Sequence, residues 1–322
     1  MIWVGWRQQR VETAIAAAML VLLAAIAIPV GIHMGSVYAH QGLSACTGAT
    51  KEQPGPCNPL VGAFVTRFSG VNVLFTLATL LPAVAALLFA APFVLDLDNG
   101  TYRLLWTQSI TRRRWVVGKL GLSVAASVAV AGCLIALATW TRAPLDQLNG
   151  RMDANTYDVS GIAPIAYALF VLGVAVAIGA LWRRTVPALL VAFVVYVVGR
   201  AVMDSWLRQR LLAPIKATWA FGKSGAPNLQ HALVIDQFIS DRHGHRLASA
   251  LVKCGQSSGG LLTHTRQLCA APVPAGGRSY MTAIYQPASR FWDLQGVEFA
   301  LVGGIGVLLV LFAAWWTQRR VA

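Results

Sequence analysis

The chain of 322 residues is 57% hydrophobic and only 12% charged, whereas a soluble globular domain carries about 25% charged residues. Its mean hydropathy of +0.61 and its charge-free stretches (Thr13 to Thr50, Phe68 to Leu95, Leu120 to Thr141, Val159 to Trp182, Phe299 to Gln318) exclude disorder and coiled coil. They also exclude an outer-membrane barrel, whose strands alternate over about ten residues. The net charge of +14 lies between the apolar runs, so anionic lipid headgroups, not nucleic acid, are the expected partner.

From the N-terminus, residues 1–11 read as an interfacial helix: Trp3, Val4 and Trp6 enter the interface while Arg7 and Arg10 reach lipid phosphates. The first span is placed at 12–34. Its apolar core of about 20 residues exceeds the 7 to 15 of a cleaved signal peptide, so it reads as a retained anchor. Further spans are placed at 71–95, 115–141, 161–182, 185–206 and 296–316, each long enough for a bilayer. The fold class is therefore all-α: one polytopic domain over 1–322 with six transmembrane helices. A cytoplasmic segment (96–114) and an extracytoplasmic segment (207–295) connect them. Of eleven tryptophans, only Trp219 lies well inside a loop; the others, such as Trp115, Trp140, Trp182 and Trp292, flank the spans as an aromatic belt.

Short connections bearing Arg7, Arg10, Arg103, Arg112, Arg113, Arg114, Lys119, Arg183, Arg184, Arg319 and Arg320 collect on one side, which the positive-inside rule makes cytoplasmic, with both termini. The opposite side holds Cys46 and Cys57 in the first outer loop and Cys254 and Cys269 in the third. Two pairs confined to outer loops read as disulfides Cys46–Cys57 and Cys254–Cys269, with cross-pairing between the loops left open. Zinc would need tighter Cys spacing, and the scattered His231, His243, His245 and His264 form no ligand set, so no metal is expected.

No phosphate-cradling Gly-x-x-x-x-Gly-Lys-Ser/Thr motif occurs, so the chain carries no ATP site and no cofactor of its own. The triplet Gly303, Gly304 and Gly306 reads as a helix-packing face. Arg200 and Asp204 are the ionisable residues of the fifth span. They read either as polar points on a translocation path or as an i,i+4 pair snorkelling to the surface, with Glu298 of the sixth span as an alternative partner. Asn228 to Ser240 places Leu229, Leu233, Ile235, Phe238 and Ile239 around a helical repeat, predicting a short surface helix.

The most informative segment runs Asp96-Leu97-Asp98-Asn99-Gly100-Thr101-Tyr102-Arg103-Leu104-Leu105-Trp106-Thr107-Gln108-Ser109-Ile110-Thr111-Arg112-Arg113-Arg114-Trp115. Asp98, Asn99 or Thr101 can cap a two-turn helix, and Ser109 or Thr111 can cap the next span. These residues, with Trp6-Arg7-Gln8 and Tyr285-Gln286-Pro287-Ala288-Ser289-Arg290-Phe291-Trp292, resemble ABC type-2 permeases, especially an actinobacterial drug-exporter branch in whose members Glu stands at positions 96 and 98. The resemblance implies a multi-pass permease in a bacterial plasma membrane, pairing with a second copy or paralogue into a dimer. It further implies a separate ATPase subunit that binds ATP and Mg and drives the chain through a coupling helix at Gly100, Thr101, Tyr102, Arg103, Leu104, Leu105, Trp106, Thr107, Gln108 and Ser109. Multidrug efflux of a hydrophobic or amphiphilic substrate is the expected function. The alternative is a membrane-anchored scaffold whose disulfide-bonded outer domain binds a protein.

Overall fold

A computed structural model describes residues 9–46, 57–102, 111–220, 227, 229, 231–246 and 280–320. These divide into a helical unit, up to Leu212 and again from Ser289, and a smaller unit over Ala213–Ala288.

Among the described residues, six helical segments are long and apolar enough to cross a membrane. The first is α1 (Arg10–His40). A 3-10 turn at Leu43–Cys46 and α2 (Cys57–Arg67) follow, with Cys46 bonded to Cys57 across Cα atoms 5.5 Å apart. Cys254 and Cys269 lie outside the described residues. The second span is two helices, α3 (Ser69–Ala78) and α4 (Leu81–Asp98). The third is α5 (Arg112–Asn149), whose N-terminus is capped by Thr111 Oγ1 accepting from the Arg114 amide at 3.4 Å. After the single turn α6 (Ala154–Tyr157) come α7 (Ala163–Trp182) and α8 (Thr185–Val202). A π-helical turn (Met203–Leu207) and a 3-10 turn (Arg208–Arg210) extend the fifth span. The sixth joins α9 (Phe291–Glu298), a second π-helical turn (Phe299–Gly303) and α10 (Gly304–Arg320).

Several boundaries differ from the sequence reading: the first span runs on to His40, the sixth starts at Ala288, and the third and fifth are longer than expected. The third span was expected to end at Thr141 because Arg142 and Asp146 follow, yet α5 runs on to Asn149. Arg142 is buried there, donating to Asn72 Oδ1 at 2.9 Å and to Thr156, and lying 3.5 Å from Asp146. A charge ends a span only when nothing in the fold receives it. The fifth span likewise continues past residue 206 to Arg210.

The fourth span, α7, is the core helix, buried over most of its length by small residues. Without a hydrophobic driving force between helices in lipid, close backbone approach supplies the packing energy. A Cβ on Gly173 would lie 2.4 Å from the Gly306 carbonyl, and one on Gly306 would lie 2.5 Å from Leu169. Gly303 meets Ala166 while Gly304 faces away, so the predicted packing face is Gly303 and Gly306. Two apolar clusters result. A central one gathers α7 and α8 with Ala83, Ala86, Ala90, Phe93, Val94 and Leu97 of α4. A flanking one gathers α1, α2, Val71, Phe75 and Ala78 of α3, and Leu134, Ala138 and Leu145 of α5.

The smaller unit is a three-stranded antiparallel sheet, β1 (Ile215–Ala220), β2 (Leu233–Ser240) and β3 (Tyr280–Gln286), in the order β1-β3-β2. The helix expected over Asn228–Ser240 is thereby corrected, since Leu233–Ser240 is a strand, while the polytopic six-helix architecture stands. Val234 and Ile235 are β-branched, and the cross-strand pairing of β2 with β3, with one irregularity between Val234 and Asp236, overrides a helical spacing of apolar residues. A hydroxyl ladder crosses the three strands: Thr218 to Thr282 at 2.8 Å and Ser240 to Thr282 at 2.7 Å.

Candidate functional site

The polar side chains of the helical unit gather at two levels. At the arginine-rich end, where α4 stops and α5 and α8 start, Asp96 pairs with Lys119, which also donates to the Pro92 carbonyl at 3.1 Å. Thr101 Oγ1 reaches Asp96 Oδ1 at 3.0 Å. Asp98 Oδ2 accepts from both the amide and the hydroxyl of Thr185 at 2.9 Å, satisfying an orphan donor at the start of α8 and placing a carboxylate at the positive end of its dipole. Gln9 donates to Ser123, which donates in turn to the Phe89 carbonyl.

These contacts assign the two aspartates before residues 100–109 to roles inside the fold. Asp96 fixes α4 to α5 and Asp98 fixes α4 to α8. Gly100 then turns the chain with φ 71°, Thr101 follows, and Tyr102 is buried at 1% exposure. Arg103, Leu104, Leu105, Trp106, Thr107, Gln108 and Ser109 lie outside the described residues, as do residues 1–8 of the interfacial reading.

At the opposite end lies a larger ionic cluster. Asp204 and Arg208 follow Arg200 at i,i+4 and i,i+8, the last two carried on the π-helical turn and the 3-10 turn after it. Arg200 pairs with Asp158 and lies 3.3 Å from Asp204. Arg208 reaches Asp158 at 2.7 Å, Asp204 at 2.7 Å and Glu298 at 3.2 Å. Glu298, fully buried, accepts from the Tyr167 hydroxyl at 2.7 Å. The Arg200 guanidinium lies 4.4 Å from the Tyr167 ring and that of Arg208 lies 4.2 Å from the Tyr157 ring. Burial, and then the Glu298 charge, push the Tyr157 hydroxyl above the ordinary tyrosine range, with Arg208 opposing. Just beyond, Gln295 Oε1 caps α7 by accepting from the amides of Ile162 and Ala163 at 3.1 and 2.8 Å, while its Nε2 donates to the Tyr157 carbonyl.

Arg200, Asp204 and Glu298 are therefore brought together, with Glu298 partnered by Arg208 and Tyr167. Sequence reasoning missed Arg208, Asp158, Tyr157, Tyr167 and Gln295. Arg208 was legible as the third member of an i,i+4,i+8 stripe. Asp158 and Gln295 carry no local signal. Arg200 is half-buried and has Asp158 as a partner besides the i,i+4 Asp204 that the sequence suggested. Among the described residues no group of three His, Cys, Asp or Glu is placed to hold a metal ion.

In the sheet unit, Asp241 folds a turn by accepting from the amides of His243 and His245 at 2.8 and 2.9 Å. The His245 backbone and side-chain hydrogen bonds hold its carboxyl down to about 2.

Six membrane-length helices are common to many transporters, and the family comparison decides among them. The family model described as ABC-2 membrane transporter related matches residues 17–208. The chain belongs to that family. It is a multi-pass membrane protein of the transporter-permease kind, a transport component whose family works with ABC ATPases. No curated protein and no solved structure matches the chain. The match runs from within the first span to near the end of the fifth and so includes residues 100–109 and the Asp158, Arg200, Asp204 and Arg208 cluster, but not the sheet unit or Glu298.

Proposed function

We propose that the chain is the permease subunit of an ATP-driven exporter of the actinobacterial drug-exporter type. In this reading it pairs with a second permease copy or paralogue in a bacterial plasma membrane, with both termini cytoplasmic. A separate ATPase subunit holds ATP and Mg and acts on Gly100 to Ser109. Membership of the ABC-2 related family carries the proposal. The anchoring of α4 to α5 and α8 on either side of the coupling segment supports it, because a segment that receives force needs rigid helices behind it. The apolar walls of the spans suit a hydrophobic or amphiphilic substrate, and the sheet unit then lies outside the cell.

The competing scaffold reading has the folded sheet unit in its favour. Co-purification separates the two. The chain should retain the ATPase encoded beside it, and the reconstituted pair should hydrolyse ATP faster when challenged with an amphiphilic compound panel. Retention of no ATPase subunit, with capture of a partner by the sheet unit instead, would replace the exporter by the scaffold.

A further inference from the structure

The second span is interrupted inside its apolar stretch. α3 ends at Ala78, the chain passes through Thr79 and Leu80, and α4 starts at Leu81. Pro82 has no amide hydrogen, so the Ala78 carbonyl loses its i+4 donor. In hydrocarbon no water is at hand to replace such a bond, and broken helices persist there only where other groups satisfy the freed backbone. At the next residue a group on the fifth span reaches the break: the Tyr196 hydroxyl donates to the Thr79 carbonyl at 3.0 Å. Thr79 Oγ1 closes back on the Thr76 carbonyl at 2.6 Å.

The break falls where the span changes partners. The buried residues of α3 (Val71, Phe75, Ala78) all belong to the flanking cluster with α1, α2 and the far part of α5. In α4 one stripe (Leu81, Ala85, Phe89) still faces that cluster, while Ala83, Ala86, Ala90, Phe93, Val94 and Leu97 pack into the central one. A Cβ on Gly179 would lie 2.5 Å from Val94, so α4 and α7 are in close contact. At its other end α4 is held by Lys119 and Thr185 and runs directly into the coupling segment. The Tyr196 ring lies 6.1 Å from the Tyr167 ring, edge to face, and Tyr167 donates to Glu298.

We infer that the second span is a hinged lever: α4 moves with the central cluster about Thr79–Leu80, α3 stays with the flanking cluster, and Tyr196 holds the hinge and joins it to the Glu298 cluster. The lever's role rests on the exporter reading, since a stroke must enter through Gly100 to Ser109. The hinge itself stands on the break, the change of packing partner and the tyrosine contact.

Two measurements separate these. In the chain alone in lipid nanodiscs, amides around Thr79 to Val84 should exchange with deuterium about tenfold faster than those at the centres of α3 and α4. Tyr196→Phe should raise exchange there by about a further fivefold, the equivalent of one lost hydrogen bond, and leave the α7 amides unchanged. A flat protection profile through residues 75–88 would overturn the hinge, whatever the ATPase does.

With the ATPase subunit bound, spin labels on unnatural amino acids would replace the exposed Val73, Ile32, Leu95, Val186 and Val198, leaving the native cysteines intact. Nucleotide should change the Val73 to Val198 distance by about 3 Å or more. The Val73 to Ile32 and Leu95 to Val186 distances should stay constant. Equal change in all pairs, or none in any while ATP is hydrolysed, would overturn the lever. A chain with the exchange contrast that binds no ATPase would instead sink the exporter reading and with it the lever's function.

Discussion

The two polar levels of the helical unit solve the same problem differently. At the arginine-rich end one cation meets one anion: Lys119 has Asp96 and a carbonyl, and Asp96 has Thr101 besides. At the opposite end two arginines share three carboxylates and two aromatic faces, so each charge has several partners. The single pair joins two helices. The cluster joins the connection before the fourth span to the fourth, fifth and sixth spans, at a point where both late spans adopt π-helical turns, which recur at functional sites. A simple pair fixes a boundary; a shared network fixes an arrangement of several helices.

The comparison breaks most readily at Arg208. Arg208→Met leaves Asp158 and Asp204 to Arg200 and the buried Glu298 to the Tyr167 hydroxyl, and truncating a buried pair costs about 3–5 kcal/mol. Thermal unfolding of the purified chain should show the largest loss for this variant. Lys119→Met should cost less, about 1–3 kcal/mol, because Asp96 is partly exposed and keeps Thr101. Adding Asp96→Asn should recover part of that loss. If Lys119→Met proved the more damaging, the difference between pair and network would be lost. Tyr167→Phe sharpens the contrast on a smaller scale: removing one hydroxyl donor to a charged acceptor should cost about 1.5 kcal/mol, read from the same unfolding curves.

The smallest effect is expected in water, at Asp241. Its carboxyl is depressed from the ordinary value near about 3.9 to about 2, so the turn's added stability is present above the ordinary value. It is lost as pH falls through about 2. Carbon-detected NMR should show the Asp241 carboxyl still ionised at pH 3, and protonation near 4 would contradict the turn.

What could be read beforehand follows from which interactions are local. Six apolar runs gave six spans because bilayer thickness alone sets their length, and Thr111 was legible as a cap because its acceptor role lies three residues away. Arg142 misled, because the groups that receive it, Asn72 and Thr156, come from other parts of the chain. The sheet was illegible for the same reason: β2 pairs with β3, about forty to fifty positions on, and no periodicity within Asn228–Ser240 reports that partner. In the cluster, Arg200 and Asp204 stood out by charge in an apolar span, and Arg208 extended their stripe. Asp158, Tyr167 and Gln295 became functional candidates only through distances.

The central claim is that force enters at the coupling segment, and retention of the ATPase subunit on a Leu105→Ala, Trp106→Ala double variant tests it most directly. A buried aromatic anchor commonly carries more than about 2 kcal/mol, so association should weaken about thirtyfold, with insertion in the membrane unchanged. Arg113→Gln should weaken it far less. Full retention and unchanged transport in the double variant would contradict the account.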